Sequence, residues 1–116
     1  PDYVYALSVP SKVKPLTFFK DKEIVAVAGI ANPEEFFAIL ESKGLNPIKK
    51  SFPDHHRFRI EDFYGYERLP ILMTEKDAVK CEGIVGYDFW SISLEYCLPK
   101  AFGDAVFKKL ENLKYG

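Results

Sequence analysis

Residues 24–37 read IVAVAGIANPEEFF, and this stretch decides the fold. Its first five residues are a continuous apolar run closed by Gly29, which is typical of a strand buried on both faces of a parallel sheet. Asn32 then offers an N-cap, Pro33 the first helical position, and Glu35 a carboxylate at the third position that can reach back in a capping box. The stretch therefore predicts a buried strand followed directly by a helix.

Strands and helices alternate on both sides of this stretch. Further strands are predicted at residues 3–9, 45–52, 70–73 and 90–96, and further helices at 60–64, 76–82 and 101–114. The apolar and polar residues of 90–96 alternate with period 2, which indicates a half-buried strand near a sheet edge. Because strands alternating with helices imply crossover connections, the sequence predicts an α/β fold, layered on a mainly parallel sheet.

The length of 116 residues fits one compact domain. Residues 11–23 mix prolines and lysines with apolar residues and read as a connector that packs part of itself. We therefore expect residues 1–20 to form a linker or arm strand and residues 21–116 to form the α/β domain. The chain begins with Pro1 rather than methionine, which suggests a piece of a longer protein or a processed product.

Composition excludes several function classes. The formal net charge of -1 provides no overall field to attract a polyanion, so nucleic acid is not an expected partner. Cys81 and Cys97 lack the spacing of a zinc or redox site and are read as reduced, which points to the cytoplasm. No apolar run approaches the roughly 18 to 20 residues that a membrane span needs, and no signal peptide opens the chain.

The first candidate site is the turn at residues 29–34, between a strand and a helix N-terminus. Backbone N–H groups and the helix dipole favour an anion in this geometry. The turn is not a Walker A loop, and the second and third glycines of a dinucleotide fingerprint are absent. A tight turn with a good helix cap is therefore the favoured interpretation.

The second candidate site is Asp54-His55-His56, a carboxylate and two imidazoles in a loop after a strand. A carboxylate beside a histidine orients the ring and raises its proton affinity, as a general base requires. Adjacent residues rarely point the same way, so we expect one histidine to act in a site and the other to be structural. A capping or core role for the pair is the alternative. Metal binding would need another ligand, and the chain has no third histidine.

The third candidate site is the run Thr74-Glu75-Lys76-Asp77, which follows a strand and opens a helix. Lys76 could contact a phosphate, and the hydroxyl and amides could contact a ligand. Thr74 is equally a good N-cap with Asp77 at the third helical position. The capping role is the expected one, and a second role stays open.

Three blocks of sequence resemble the carboxyl-terminal part of the tetraacyldisaccharide 4'-kinase family of lipid A synthesis in Gram-negative bacteria. They are residues 25–37, 52–56 and 72–81, in the order and spacing of that family. The resemblance implies a three-layer sandwich that forms the smaller C-terminal domain of a P-loop kinase. It also implies transfer of the γ-phosphoryl group of MgATP to the 4'-hydroxyl of a tetraacyldisaccharide 1-phosphate, a peripheral activity at the cytoplasmic face of the inner membrane.

In that family the P-loop, the Mg²⁺ ligands and a catalytic aspartate lie in an amino-terminal domain that this chain lacks. The resemblance therefore implies that the chain binds no metal itself, that it closes over the nucleotide, and that His55 or His56 pairs with the catalytic aspartate. The cleft residues implied are Asn32, Asp54, Thr74, Glu75, Lys76 and Asp77. Its implied partners are ATP, the acylated disaccharide, the inner-membrane surface and the P-loop domain.

The chain departs from the family pattern at two positions. Ala31 stands where glycine is usual, and Arg57 stands where proline is common. Because alanine adopts a positive φ less readily than glycine, the turn at Ala31 is expected to differ. Arg57 could instead add a phosphate contact. An alternative of a different class is a non-catalytic ligand-binding or assembly domain that reuses the same fold.

Overall fold

The computed structural model describes the backbone of residues 3–6 and all of residues 12–93. Within these residues, six strands form one sheet, in the order β2-β1-β6-β5-β3-β4. They are β1 (Tyr3–Ala6), β2 (Val13–Pro15), β3 (Val25–Ala28), β4 (Ile48–Ser51), β5 (Pro70–Thr74) and β6 (Asp88–Ile92). Two α-helices, α1 (Pro33–Ser42) and α2 (Glu75–Lys80), and two 3-10 turns, Leu16–Phe19 and Ile60–Phe63, complete the described elements.

The centre of the sheet is parallel. β3 pairs with β4 on one side and with β5 on the other, and β5 pairs in turn with β6, all in parallel register. β1 adds to β6 as an antiparallel strand, and β2 pairs antiparallel with β1 at the outer edge. The predicted α/β fold with a mainly parallel sheet is therefore confirmed.

Side chains from alternate positions of the central strands enter two separate apolar clusters. Ala26, Ala28 and Leu72 lie in one cluster with Phe36 and Leu40 of α1. On the opposite face, Val25, Val27, Ile71 and Met73 lie with Phe58, Phe63 and Ala78. Full burial of a side chain as large as Phe36 stabilises the fold by about 1.5–3 kcal/mol. Both faces of the sheet are covered, which gives the three layers.

The prediction of a half-buried strand near the edge was wrong for β6. Within the described sheet β6 lies between β1 and β5, and Phe89 to Ile92 are all buried. Trp90 and Ile92 pack into the α1 side of the sheet, and Phe89 packs into the other side. The period of 2 arose because two small polar residues are buried here, Ser91 within this internal strand and Ser93 just after it.

The start of α1 also differs from the prediction. Asn32 occupies the N-cap position, but its side chain makes no capping hydrogen bond to the backbone. Instead, Asn32 Nδ2 donates to Glu35 Oε2 at 3.1 Å. The Glu35 carboxylate therefore binds the side chain of Asn32, which replaces the predicted capping box.

Residues 3–6 and 13–19 contribute to the same sheet and core. β1 and β2 form its outer part, and Leu16 and Phe19 are buried beside Trp90 in the α1 cluster. The domain boundary at residue 20 stays a prediction. The predicted helix at 101–114 and the outer parts of the predicted strands at 3–9 and 90–96 lie outside the described residues. None of the described helices is long and apolar enough to cross a membrane.

Candidate functional site

Three polar segments meet at one edge of the sheet because the strands that precede them are parallel. Gly29 follows β3, residues 52–56 follow β4, and Thr74 is the last residue of β5. Carboxyl ends of neighbouring parallel strands lie side by side, so the segments that sequence analysis singled out are neighbours in space. This edge is the candidate site.

The crevice between β3 and β5 is filled by a side chain of the protein itself. From β3 the chain moves outward to β4, and from β5 it moves the other way to β6, so a topological switch point lies between β3 and β5. Doubly wound sheets bind ligands in such crevices. Here the fully buried Asp77 carboxylate accepts a hydrogen bond from the Gly29 N–H at 2.8 Å. Lys80 Nζ lies 3.4 Å from the other oxygen of Asp77.

Asp77 also completes the N-cap of α2. Its backbone N–H donates to Thr74 Oγ1 at 3.3 Å, as the sequence predicted. Thr74 and Asp77 are buried, whereas Glu75 and Lys76, the first two residues of α2, are exposed. In this predicted cleft segment, Thr74 and Asp77 therefore connect the end of β5 to the start of α2, and Glu75 and Lys76 face solvent.

The loop after β4 begins with a tight turn that presents His55. The His56 N–H donates to the Pro53 carbonyl at 3.0 Å, which places Asp54 and His55 at the two central positions. His55 has a φ of 65°, a left-handed conformation that favours glycine at this position of a turn. Its side chain is 75% exposed, and its Nε2 lies 3.5 Å from Asp54 Oδ2. An exposed imidazole is thus held on a strained backbone beside a carboxylate.

His56 points in a different direction and is enclosed. Its ring stacks on Phe52 at a centroid distance of 4.6 Å and meets Phe58 edge to face at 5.0 Å. Its Nε2 lies 2.9 Å from Asp62 Oδ2, and its side chain is 26% exposed. The two histidines point in different directions, as expected for adjacent residues. His55 faces solvent, and His56 is held by aromatic rings.

Asp62 is a residue of the site that sequence reasoning missed. Its Oδ2 accepts the Arg59 N–H at 2.9 Å as well as the bond from His56. Burial acts to raise the pKa of Asp62, but the Arg59 N–H and the His56 ring together lower it below the ordinary value. An aspartate at the third position of the 3-10 turn after Arg59 was the signal in the sequence, because a carboxylate there accepts the N–H at the turn's start.

The segments after β4 and β5 approach each other through charged groups. Lys76 Nζ lies 3.9 Å from Asp54 Oδ1, so Asp54 stands between Lys76 and His55.

Asn32 is exposed at the start of α1, next to two carboxylates in the first turn, Glu34 and Glu35. Because those carboxylates already complement the helix dipole, this turn is a poor anion site.

The loop after β4 also rests on the turn after β3. A Cβ placed on Gly29 would lie 3.0 Å from Phe58 Cζ and 3.4 Å from the Cβ of His56. A side chain at this position would therefore meet the Phe58 ring tightly, because the aromatic loop packs directly on the backbone of Gly29. Metal ligation is a separate matter: within residues 12–93, no three His, Cys, Asp or Glu side chains gather as a metal site.

The fold and the polar edge define an open α/β domain with its candidate chemistry at the carboxyl ends of parallel strands. The model of the family described as Tetraacyldisaccharide-1-P 4'-kinase (LpxK) matches residues 4–111. The chain belongs to this family, which confirms the resemblance.

Curated relatives are similar to this chain in sequence, and a solved structure is similar to it in fold. The tetraacyldisaccharide 4'-kinase of Xylella fastidiosa (strain 9a5c) is 46% identical over 112 residues, which cover 97% of this chain and 33% of that protein. The tetraacyldisaccharide 4'-kinase of Xanthomonas campestris pv. campestris (strain 8004) is 43% identical over 102 residues, which cover 88% of this chain and 29% of that protein. This chain therefore spans about a third of the length of its curated relatives.

The crystal structure described as the "apo" form of LpxK from Aquifex aeolicus in complex with ATP is similar with a TM-score of 0.59. It is 24% identical in sequence, and the match covers 78% of this chain and 27% of that chain. At this identity the likeness concerns the fold alone. The match confirms the α/β fold.

Proposed function

We propose that this chain is the part of a tetraacyldisaccharide 4'-kinase that closes over ATP and presents His55 to the catalytic aspartate of a P-loop domain. The full enzyme would transfer the γ-phosphoryl group of ATP to the 4'-hydroxyl of tetraacyldisaccharide 1-phosphate. The observation that carries the role of His55 is its left-handed backbone and 75% exposed side chain at the carboxyl edge of the sheet.

The choice of His55 over His56 follows from their surroundings. A histidine that meets another domain must project from its own domain, and His55 does so. His56 is packed against two aromatic rings, and its Nε2 is engaged by Asp62. Backbone strain of the kind seen at His55 clusters at functional sites, where the surrounding structure maintains it.

In phosphoryl transfer the acceptor hydroxyl loses its proton as its oxygen bonds to the γ-phosphorus and the bond to the β,γ-bridging oxygen breaks. The chemistry consists mostly of positioning and charge stabilisation. His55 would hold the catalytic aspartate of the companion domain, and Asp54, whose Oδ2 lies 3.5 Å from His55 Nε2, would orient the imidazole. Exposed Lys76 stands beside this pair and would contribute positive charge near the phosphates.

Mg²⁺ would supply the charge neutralisation that phosphoryl transfer needs. The described part of this chain offers no cluster of three candidate ligands for it, so we assign those ligands to the P-loop domain. The acylated substrate places the reaction at a membrane surface, and we assign the enzyme to the cytoplasmic face of the inner membrane. The complex of the Aquifex aeolicus protein with ATP supports the choice of nucleotide.

The test is ATP-dependent phosphorylation of tetraacyldisaccharide 1-phosphate by the full-length enzyme with each histidine replaced separately. His55→Asn keeps a residue that tolerates the left-handed conformation but removes the imidazole. We expect kcat to fall by about 100-fold, in the range for loss of a group that assists proton transfer. His56→Gln should lose stability more than catalysis. Unchanged kcat in His55→Asn would rule out the assigned role, and tight ATP binding by this chain without a companion domain would favour the non-catalytic alternative.

A further inference from the structure

Asp62 lies outside the three polar segments but binds the one histidine that closes the His55 turn. We propose that Asp62 is a positioning residue that fixes the His56 ring and, through it, the turn that presents His55. This inference rests on the proposed role of His55. The geometry behind it is the single oxygen Oδ2 of Asp62, which lies 2.9 Å from both the Arg59 nitrogen and His56 Nε2.

The two bonds to Asp62 decide where the proton of His56 lies. An ionised carboxylate can only accept hydrogen bonds, and the lowered pKa of Asp62 keeps it ionised at neutral pH. His56 Nε2 must therefore carry a hydrogen, because an unprotonated nitrogen would face an acceptor. In the neutral ring, Nδ1 is then the unprotonated nitrogen. Asp62 thus selects one tautomer and one orientation of the ring.

The orientation of His56 is transmitted to His55 through the chain. The ring of His56 cannot turn freely, because Phe52 covers one face and Phe58 contacts it edge to face. The backbone N–H of His56 closes the turn by its 3.0 Å bond to the Pro53 carbonyl. His55 is the residue before it and has a φ of 65° in this closed turn.

The simpler interpretation is that Asp62 only fastens the 3-10 turn through the Arg59 N–H. The substitution Asp62→Asn separates the two roles, since an amide oxygen still accepts from Arg59 and from a protonated Nε2. What it removes is a group that can only accept, because an amide also carries a donor and after rotation can pair with His56 Nε2 whether or not that nitrogen bears a hydrogen. Glu61→Gln is the matched control, because Glu61 is exposed in the same 3-10 turn and the substitution changes net charge equally.

The experiment uses the full-length enzyme labelled with ¹⁵N-histidine, with the His56 signals assigned by His56→Gln. In the unsubstituted enzyme, at a pH where the His56 ring is neutral, we expect the hydrogen on Nε2 and no hydrogen on Nδ1. In Asp62→Asn we expect averaged tautomers, a kcat lower by about tenfold, and a KM for ATP within about twofold, as for a displaced catalytic group. Glu61→Gln should change neither the spectrum nor kcat.

A double-mutant cycle connects Asp62 to His55. In the His55→Asn background, adding Asp62→Asn should lower kcat no further, because the group that Asp62 positions is already absent. The proposal is overturned by averaged tautomers in the unsubstituted enzyme, by an unchanged kcat in Asp62→Asn, or by an equal loss in Glu61→Gln. If His55→Asn is fully active while the tautomer of His56 is fixed by Asp62, the function proposed for His55 fails and the bond between Asp62 and His56 stands.

Discussion

Replacing His55 by glycine should stabilise the protein and lower its kcat by about 100-fold. His55 has a φ of 65°, which costs an L-residue about 1–2 kcal/mol relative to the right-handed region. Glycine removes that strain but loses about 0.5–1 kcal/mol through the greater freedom of the unfolded chain. The net expectation is a gain of about 0.5–1 kcal/mol in the free energy of unfolding, because the exposed imidazole contributes little packing.

The chain contains a matched control in Asp21, which has a φ of 64°. Asp21 is the third residue of a turn closed by the bond from the Lys22 N–H to the Phe19 carbonyl at 3.3 Å. Asp21→Gly should therefore relieve strain in the same way, by a smaller amount because aspartate tolerates this region better. It lies outside the candidate site and should leave kcat unchanged.

The assay pairs urea unfolding of the full-length enzyme with ATP-dependent phosphorylation of tetraacyldisaccharide 1-phosphate. His55→Gly should raise the urea midpoint while lowering kcat by about 100-fold. Asp21→Gly should raise the midpoint alone. A loss of more than about 1 kcal/mol in His55→Gly would refute the left-handed conformation. Unaltered activity in the same variant would refute the catalytic role, so the two parts of the reasoning fail separately.

Three further predictions concern buried or paired titratable groups. Asp77→Ala should destabilise the enzyme by about 1–3 kcal/mol in urea unfolding, because the buried Gly29 N–H loses its acceptor, whereas exposed Glu82→Ala should change little. Burial and, to a lesser extent, the nearby Asp77 charge raise the pKa of the Cys81 thiol to about 12. After treatment with an alkylating reagent at about pH 8, peptide mass spectrometry should therefore find Cys81 unmodified until urea is added. Rapid alkylation of the native protein would contradict the burial of Cys81. The pKa of Asp62 is lowered from 3.8 in the folded state, so its contribution to stability is complete above about pH 4 and is lost as the pH falls through the folded value. Acid unfolding of Asp62→Asn should be less steep below about pH 4, and an identical acid profile would exclude this linkage.

Local sequence patterns were sufficient to predict β3, α1, β5 and α2, because each depends on residues close in the chain. An apolar run closed by Gly29 marks a strand, and Pro33 after Asn32 marks a helix start. Thr74 was identified as an N-cap for the same reason, since its partner is the N–H three residues later. The polar segments at strand ends followed from these elements, because parallel strands place their carboxyl ends at one edge.

Contacts between distant residues lay beyond those patterns. Nothing in the local sequence of β6 indicates that β1 pairs with it, so the internal strand was mistaken for one near an edge. The hydrogen bond from Gly29 to Asp77 joins residues that are 48 positions apart in the chain. Because of this bond Asp77, which was predicted to line a cleft, is instead buried at the switch point between β3 and β5. The chain position of such a pair says nothing about its separation in space.

The sequence by itself determined the layered α/β fold and the gathering of imidazole, carboxylate and ammonium groups at one sheet edge. Which histidine is exposed was decided by tertiary structure alone. Phe52, Phe58 and Asp62 enclose His56, whereas His55, in the turn before it, has a left-handed backbone and faces solvent. The physical reason is that hydrophobic periodicity is a property of neighbouring residues, whereas ring stacking and hydrogen bonding to a fixed carboxylate exist only after the segments have packed together.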